Sequence, residues 1–232
     1  MIKVVLRKDI LINKFVIGIL IGLLVFSCNK TTKTKLGGLV FGTSYSIQYY
    51  SNSVFDSEKD IDSLFSVLNR SMSTYIIDSD ISKLNRNESK IIDNHFIKVF
   101  DSSKEIFTQT NGAFDPTIGN LVNAWDFGPE GNIVNLDSLQ IDSLMLSVGF
   151  NKLFRNGNTI LKENPNTYID FNAIAKGYSV DVISEYLESK GVKNYLVEIG
   201  GEIRTKGINI EKEKPYKVGV EMPHFDGSQS II

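Results

Sequence analysis

The alternation of apolar and polar positions changes character twice along this chain. Phe15 to Phe26 is an unbroken apolar run behind the basic residues Lys3, Arg7, Lys8 and Lys14. From Gly37 onward the pattern is that of a folded domain. Tyr45, Ile47 and Tyr49 alternate with Ser44, Ser46 and Gln48, which predicts a strand over Leu39 to Tyr50 with one buried face. Ile61, Leu64, Phe65 and Leu68 then recur at helical spacing behind Ser57 and Asp60, a pair that reads as a capping box. A second helix is predicted from Asn94 to Thr110, with Phe96, Val99, Phe100 and Phe107 on one side and Asn111-Gly112 as its stop.

A loop-rich stretch from Phe114 to Asn132 follows, then a shorter helix through Ile141, Leu144 and Val148 that stops at Gly149. Phe150 to Phe154 and Thr159 to Leu161 flank Asn156-Gly157 and predict a hairpin, because that dipeptide accommodates positive φ. The last third predicts a strand at Tyr168 to Phe171, a helix from Ile174 to Lys190 ended by Gly191, and strands at Tyr195 to Ile199 and Glu202 to Lys206 around Gly200-Gly201. A further strand is expected near Lys217 to Glu221. Hairpins and helices mix without strict alternation, which points to an α+β fold rather than a doubly wound parallel sheet.

The basic flank and twelve-residue apolar run are too short to span a bilayer, which takes about 20 residues, and instead read as a secretory signal peptide over 1–27. Leu24-Val25-Phe26-Ser27-Cys28 resembles a bacterial lipobox, which makes Cys28 the lipidated residue of a membrane-anchored protein facing the periplasm. Phe26 is bulkier than that pattern usually holds. Cys28 is the sole cysteine, so disulfide chemistry is excluded, and residues 28–36 are expected to be the lipidated residue and a polar tether ahead of one domain over 37–232. The net charge of −2 argues against a nucleic-acid surface.

Three clusters carry polar groups that chemistry needs. Asn111 to Thr117 places Asp115 beside a proline-stiffened turn, where spacing alone favours a loop in which Asp115 caps neighbouring amides. Asp170 to Tyr178 runs from a strand end into a helix, where free N–H groups and Lys176 suit a phosphate. The same spacing also fits a surface lysine with Asp170 as a cap. Val197 to Glu202 sets a glycine pair between two strands, either a plain bend or a close approach of ligand to backbone. No GxGxxG or GxxxxGK[ST] loop occurs, and His95 and His224 lack metal-ligand spacing.

In order along the chain, Phe41-Gly42-Thr43-Ser44-Tyr45, Met72-Ser73-Thr74-Tyr75, Ser79 to Asn85, Phe114-Asp115-Pro116-Thr117, Trp125 to Pro129, Asp170 to Tyr178 with Asp181, and Tyr195 to Arg204 resemble the ApbE family, also called the thiamine biosynthesis lipoprotein family. The resemblance covers roughly Leu39 to Pro223. It implies an ApbE-like fold of mixed, mainly antiparallel sheets packed with helices, and an FAD:protein FMN transferase that needs Mg²⁺. Such an enzyme splits FAD, moves FMN to a Thr or Ser hydroxyl of a target protein and releases AMP.

Carried over by position, Phe41, Met72, Ala113, Phe114, Asp115, Asp170 and Lys176 would line the FAD site. The carbonyl of Ala173 would be one Mg²⁺ ligand. Lys176 would stabilise developing charge and Asp170 would orient or deprotonate the acceptor hydroxyl. The implied acceptors are subunits of membrane redox complexes, of the sodium-pumping quinone oxidoreductase and Rnf types. In the family a later His-x-x-Asp-Pro-x-x-Gly-like stretch supplies an Asp and a Thr or Ser that complete the metal site. This chain ends before it, so the resemblance implies a C-terminally truncated member. Two other readings share these residues: an FAD pyrophosphatase, and a non-catalytic flavin-binding lipoprotein.

Overall fold

The computed structural model describes residues 31–131, 136–223 and 229–231. The chain divides into two compact units, Met1–Thr32 and Lys33–Ile232. The first lies almost wholly outside the described residues, and with it the stretch expected to be a signal peptide and Cys28.

The second unit is built on a four-stranded sheet of order β1-β2-β5-β6. Strand β1 (Thr32–Val40) turns through Phe41-Gly42 into β2 (Thr43–Ser51). Both turn residues have positive φ, 52° and 74°, which breaks the single strand expected over Leu39 to Tyr50 into two. Pairing with β2 also means that the stretch expected to be a tether up to residue 36 is strand from Thr32 onward. Its Lys and Thr side chains are polar because β1 is an edge strand, not because the segment is unstructured.

Helix α1 (Ser57–Met72) follows β2, and its cap is Asp56, whose carboxylate accepts from the Lys59 amide. Ser57 and Asp60 therefore do not form the expected capping box. Ser57 Oγ is taken by the Tyr49 hydroxyl at 2.8 Å, and Asp60 accepts from the Tyr186 hydroxyl at 2.7 Å. Next come α2 (Asp80–Asn85), α3 (Asn94–Gln109), α4 (Gly119–Ala124) and α5 (Ser138–Met145). The hairpin of β3 (Leu153–Asn156) and β4 (Thr159–Lys162) pairs Asn156 with Thr159, so its two turn residues are Gly157 and Asn158.

Helix α6 (Ala175–Ser189) leads into β5 (Asn194–Ile199) and β6 (Glu202–Lys206). Strands β2 and β5 are antiparallel with Tyr45, Ile47 and Tyr49 opposite Ile199, Val197 and Tyr195, so the inward residues of one strand face those of the other. Gly200 and Gly201, at φ 57° and 90°, close the β5–β6 turn in the left-handed region that tight hairpins need. The small pairs β7 (Ile208–Asn209) with β8 (Lys214–Pro215), and β9 (Glu221–Pro223) with β10 (Gln229–Ile231), complete the described fold. The strand expected near Lys217 is replaced by exposed irregular chain that pairs only from Glu221.

Two apolar clusters fill the unit. One lies between the large sheet, α1 and α6, with Ile47, Phe65, Ile183, Tyr195 and Val197 buried. The other gathers Phe96, Phe100, Phe150, Ile160, Ile169 and Phe171 from α3, the β3–β4 hairpin and the segment ahead of α6. Phe41 and Leu64 pack against both. Residues 168–171, expected as a strand, make one isolated bridge, Ile118 to Tyr168. They are buried with no neighbouring strand among the described residues, and their backbone is satisfied otherwise. The Asn85 amide bonds both the N–H and the C=O of Ile169, at 2.8 and 2.9 Å, and the Asp170 N–H donates to Pro116 O at 2.8 Å.

Charge at the far end of α6 ties the helix to the sheet. Glu188 accepts from Tyr195 Oη, Lys206 Nζ and Arg204, at 2.6, 2.7 and 3.1 Å. The bonds from Lys206 and Tyr195 hold its carboxyl at about 2. A depressed carboxylate stabilises the fold above its unfolded value and loses that contribution as pH falls through its folded value. The melting-temperature gap between the wild type and Glu188→Gln is therefore expected to be widest above about pH 4.5 and to close toward pH 2. A gap independent of pH would contradict this.

Candidate functional site

A cavity of about 800 Å³ opens where the Phe41-Gly42 turn, the end of α1 and the start of α6 meet. Its wall is apolar on the side of Phe41, Leu68 and Met72, while Asn69, Ser73, Asn172 and Lys176 supply polar groups. Tyr75 and Phe127 stand at its rim, 61% and 77% exposed, joined by a hydrogen bond from the Tyr75 hydroxyl to the Phe127 carbonyl at 3.1 Å. A large apolar pocket with a few convergent polar groups is the usual form of a cofactor-sized site.

The start of α6 is the electrostatic centre of this cavity. Ile174 occupies the cap position without a side-chain cap bond. Ala175 N–H is taken by Phe171 O and Tyr178 N–H by Ile174 O. The N–H groups of Lys176 and Gly177 take no hydrogen-bond partner among the described residues. Lys176 also forms no ion pair there, although it sits at the positive end of a helix dipole. Its stem crosses the Gly200 turn: a Cβ on Gly200 would lie 3.4 Å from Lys176 Cδ and 2.7 Å from Thr43 Cγ2. The absence of a side chain on Gly200 thus leaves room chiefly for Thr43, and amides without partners beside a lysine at a helix start are the chemistry of an anion site.

Of the residues proposed from the sequence, Phe41, Met72 and Lys176 line the cavity. Asp170 is 8% exposed and lies beneath the turn, with Oδ1 accepting from Asn172 N–H at 2.6 Å and Oδ2 from Asn172 Nδ2 at 3.0 Å. Burial raises its pKa, and the two Asn172 bonds oppose that shift. Ala113, Phe114 and Asp115 are not among the cavity-lining residues. Asp115 accepts from Thr117 N–H at 2.8 Å, from Thr117 Oγ1 at 2.6 Å and from Phe150 N–H at 3.3 Å, which is the amide-capping loop that its spacing favours. The Pro116 carbonyl nevertheless ties that loop to Asp170.

Ala173 is exposed and borders a second hollow, of about 290 Å³, together with Tyr178, Asp181 and Glu202. Its carbonyl accepts no hydrogen bond among the described residues. Asp181 is engaged by Arg204 at 2.8 Å, whereas Glu202 forms no ion pair there. A free carbonyl beside a carboxylate is the hard oxygen chemistry that suits Mg²⁺. No group of three or more His, Cys, Asp or Glu that could hold a metal occurs among the described residues. These residues therefore offer a metal ion at most one or two protein oxygens, and any further ligands would have to come from phosphate and water.

Asn69 and Ile76 stand in none of the sequence clusters, whereas Asn172 lies within Asp170 to Tyr178, and Tyr75 and Phe127 lie in segments that carry only the family resemblance. The available signal was aromatic residues outside any amphipathic pattern, which a fold has no use for burying.

The ApbE family model matches residues 41–232. The chain belongs to the ApbE family. It is 37% identical over 214 residues to the FAD:protein FMN transferase of Vibrio cholerae, an alignment covering 88% of this chain and 64% of that protein. It is 36% identical over 231 residues to the enzyme of the same name from Haemophilus influenzae, covering 93% of this chain and 66% of that protein. Among solved structures, the flavin transferase ApbE from Vibrio cholerae superposes with a TM-score of 0.81 at 34% identity, over 88% of this chain and 68% of that one. The apo flavinyl transferase ApbE of Pseudomonas stutzeri gives 0.78 at 26% identity, over 87% and 66%. The expected α+β fold is thus the family's, and the chain spans just under two thirds of the length of these curated relatives.

On β4, the Lys162 ammonium donates to Asn85 O and Thr167 O at 3.0 and 3.1 Å, and burial lowers its pKa to about 8. For a base with a depressed folded value, the unfolded chain binds more protons between the two values, so stability rises with pH there. Unfolding followed in denaturant is expected to show a rise from about pH 8 to about 10.5 that Lys162→Met removes. Persistence of the rise in that variant would assign it to other groups.

Proposed function

We propose that the chain is the FAD-handling part of an FAD:protein FMN transferase, exported and anchored through Cys28 on the periplasmic side of a membrane. The observation that carries this reading is Lys176, which forms no ion pair among the described residues and lines a cavity with an apolar wall, at a helix start where the Lys176 and Gly177 amides take no partner among those residues. FAD offers matching chemistry, with flat aromatic ends for the wall and a dianionic pyrophosphate for the helix start. The names of the relatives support the same substrate.

In the proposed reaction an acceptor Thr or Ser oxygen attacks the FMN-side phosphorus, the P–O bond to the AMP phosphate breaks, and AMP leaves with the bridging oxygen. The acceptor proton passes to a base. Phosphoryl chemistry of this kind gains mostly from positioning and charge neutralisation. Lys176 and the amides of Lys176 and Gly177 would hold the pyrophosphate oxygens. Asp170, locked onto Asn172, would fix the turn that presents Ala173 O and the helix start, with its remaining lone pairs available to orient the acceptor hydroxyl. When bound, Mg²⁺ would be held in part by Ala173 O and would neutralise phosphate charge.

The product pool tests this reading. The full chain in detergent, given FAD, Mg²⁺ and a flavin-acceptor domain, is expected to release AMP in proportion to protein-bound flavin and to release none without acceptor. AMP and free FMN appearing regardless of acceptor would make it a pyrophosphatase. FAD bound with neither product would make it a binding protein.

A further inference from the structure

Strand β1 begins at Thr32, so only Asn29, Lys30 and Thr31 separate Cys28 from the sheet. Four residue steps reach at most about 14 Å. An anchor this short, unlike the longer tether expected, would keep the start of β1 within about 14 Å of the bilayer surface. Which part of the body meets the lipid then depends on what surrounds the start of β1.

That end of the sheet is basic. Lys33 pairs with Glu211 at the tip of the β7–β8 hairpin and lies 5.7 Å from the centre of the Tyr50 ring, while Tyr50 Oη donates to Asn209 Oδ1 at 3.0 Å. Tyr50 is also opposite Asn194, which brings the start of β5 to the same place. Lys35, Lys193, Lys212 and Lys214 are exposed there, against the acids Glu211 and Glu213. The cavity is at the opposite end of the same sheet. Gly200 N–H bonds Ser44 O at 3.0 Å beside the Phe41-Gly42 turn, and α6 carries Lys176 at this end and Lys190 at the other. The nine residues of β1 rise about 26 Å from one end to the other.

We propose that the end formed by the start of β1 and the β7–β8 hairpin is the membrane-facing surface, seated on anionic lipid headgroups, and that it holds the cavity mouth roughly 25 Å off the bilayer. The inference rests on the anchor at Cys28. It selects a class of partner: acceptors whose reactive hydroxyl stands on an extramembrane domain at that height, not residues at the lipid surface.

The test uses the lipidated full chain in vesicles containing phosphatidylglycerol and a headgroup-bound energy acceptor. A fluorophore is placed on Lys212→Cys or on Leu39→Cys, the latter 88% exposed near the cavity end of β1. The Lys212 position is expected to lie nearer the bilayer than the Leu39 position by about 20 Å. The difference is expected to shrink in neutral vesicles or with Lys35, Lys193 and Lys214 all changed to Glu. Equal or reversed distances would overturn the orientation, and an unchanged difference in neutral vesicles would overturn the headgroup contact. Mass spectrometry showing no acyl groups on Cys28 would overturn the anchor and this proposal together, without touching the FAD reading.

Discussion

Lys176→Ala is expected to slow FMN transfer by about 10²–10³-fold, the loss typical when one preorganised group is removed from developing charge. Lys176 forms no ion pair among the described residues and sits over the Gly200 turn, so its removal breaks no salt bridge of the fold. A lysine at a helix start is electrostatically unfavourable without an anion, so the variant is expected to melt no lower than the wild type. Single-turnover rates at saturating FAD, with melting temperature alongside, separate the two effects. Loss of activity with an unchanged melting point supports the assigned role. Full activity would remove Lys176 from the reaction.

Asn85→Ala is expected to give a large loss of stability, about 2–5 kcal/mol, because it orphans two buried backbone groups at once. Ile169 is fully buried, and its N–H and C=O both bond the Asn85 side chain. Among the described residues no neighbouring strand takes them over. The next residue is Asp170, so the same change loosens the turn that leads to α6. Asn85→Asp would set a buried carboxylate oxygen against Ile169 O, and is expected to cost at least as much at neutral pH. Denaturant midpoints measure both. A change below about 0.5 kcal/mol for Asn85→Ala would mean that water satisfies Ile169 instead, since that is the range of ordinary surface substitutions.

What was legible in the sequence follows from which interactions are local. The period of Ile61, Phe65 and Leu68, the stop at Gly191 and the alternation of Tyr195, Val197 and Ile199 each depend on near neighbours, and these elements stand where the pattern put them. The cap of α1 was off by one residue because Asp56 and Ser57 are both good caps, and the distant Tyr49 hydroxyl decides between them. Residues 168–171 carry strand-like composition, yet their hydrogen bonds go to Asn85 and Pro116, which are far away in sequence. The polar start of β1 looked like a tether because the pairing that makes it an edge strand is supplied by β2.

The site divides in the same way. A cation at a helix start is a local anomaly that spacing alone picks out, and Lys176 lies on the cavity wall. The spacing around Asp115 favoured a capped loop, and its carboxylate is indeed occupied by Thr117 and Phe150 amides. The rim made by Tyr75 and Phe127 is assembled across 52 positions of sequence, which no local pattern reports.

The central claim is that FMN is moved from FAD onto a protein hydroxyl, and the intact mass of the acceptor is its most direct test. After incubation of the full chain with FAD, Mg²⁺ and a flavin-acceptor domain, the acceptor is predicted to be heavier by one FMN, with the modification lost in EDTA and mapped to a Thr or Ser. An acceptor of unchanged mass, in the presence of enzyme that is folded and has FAD bound, would contradict the account.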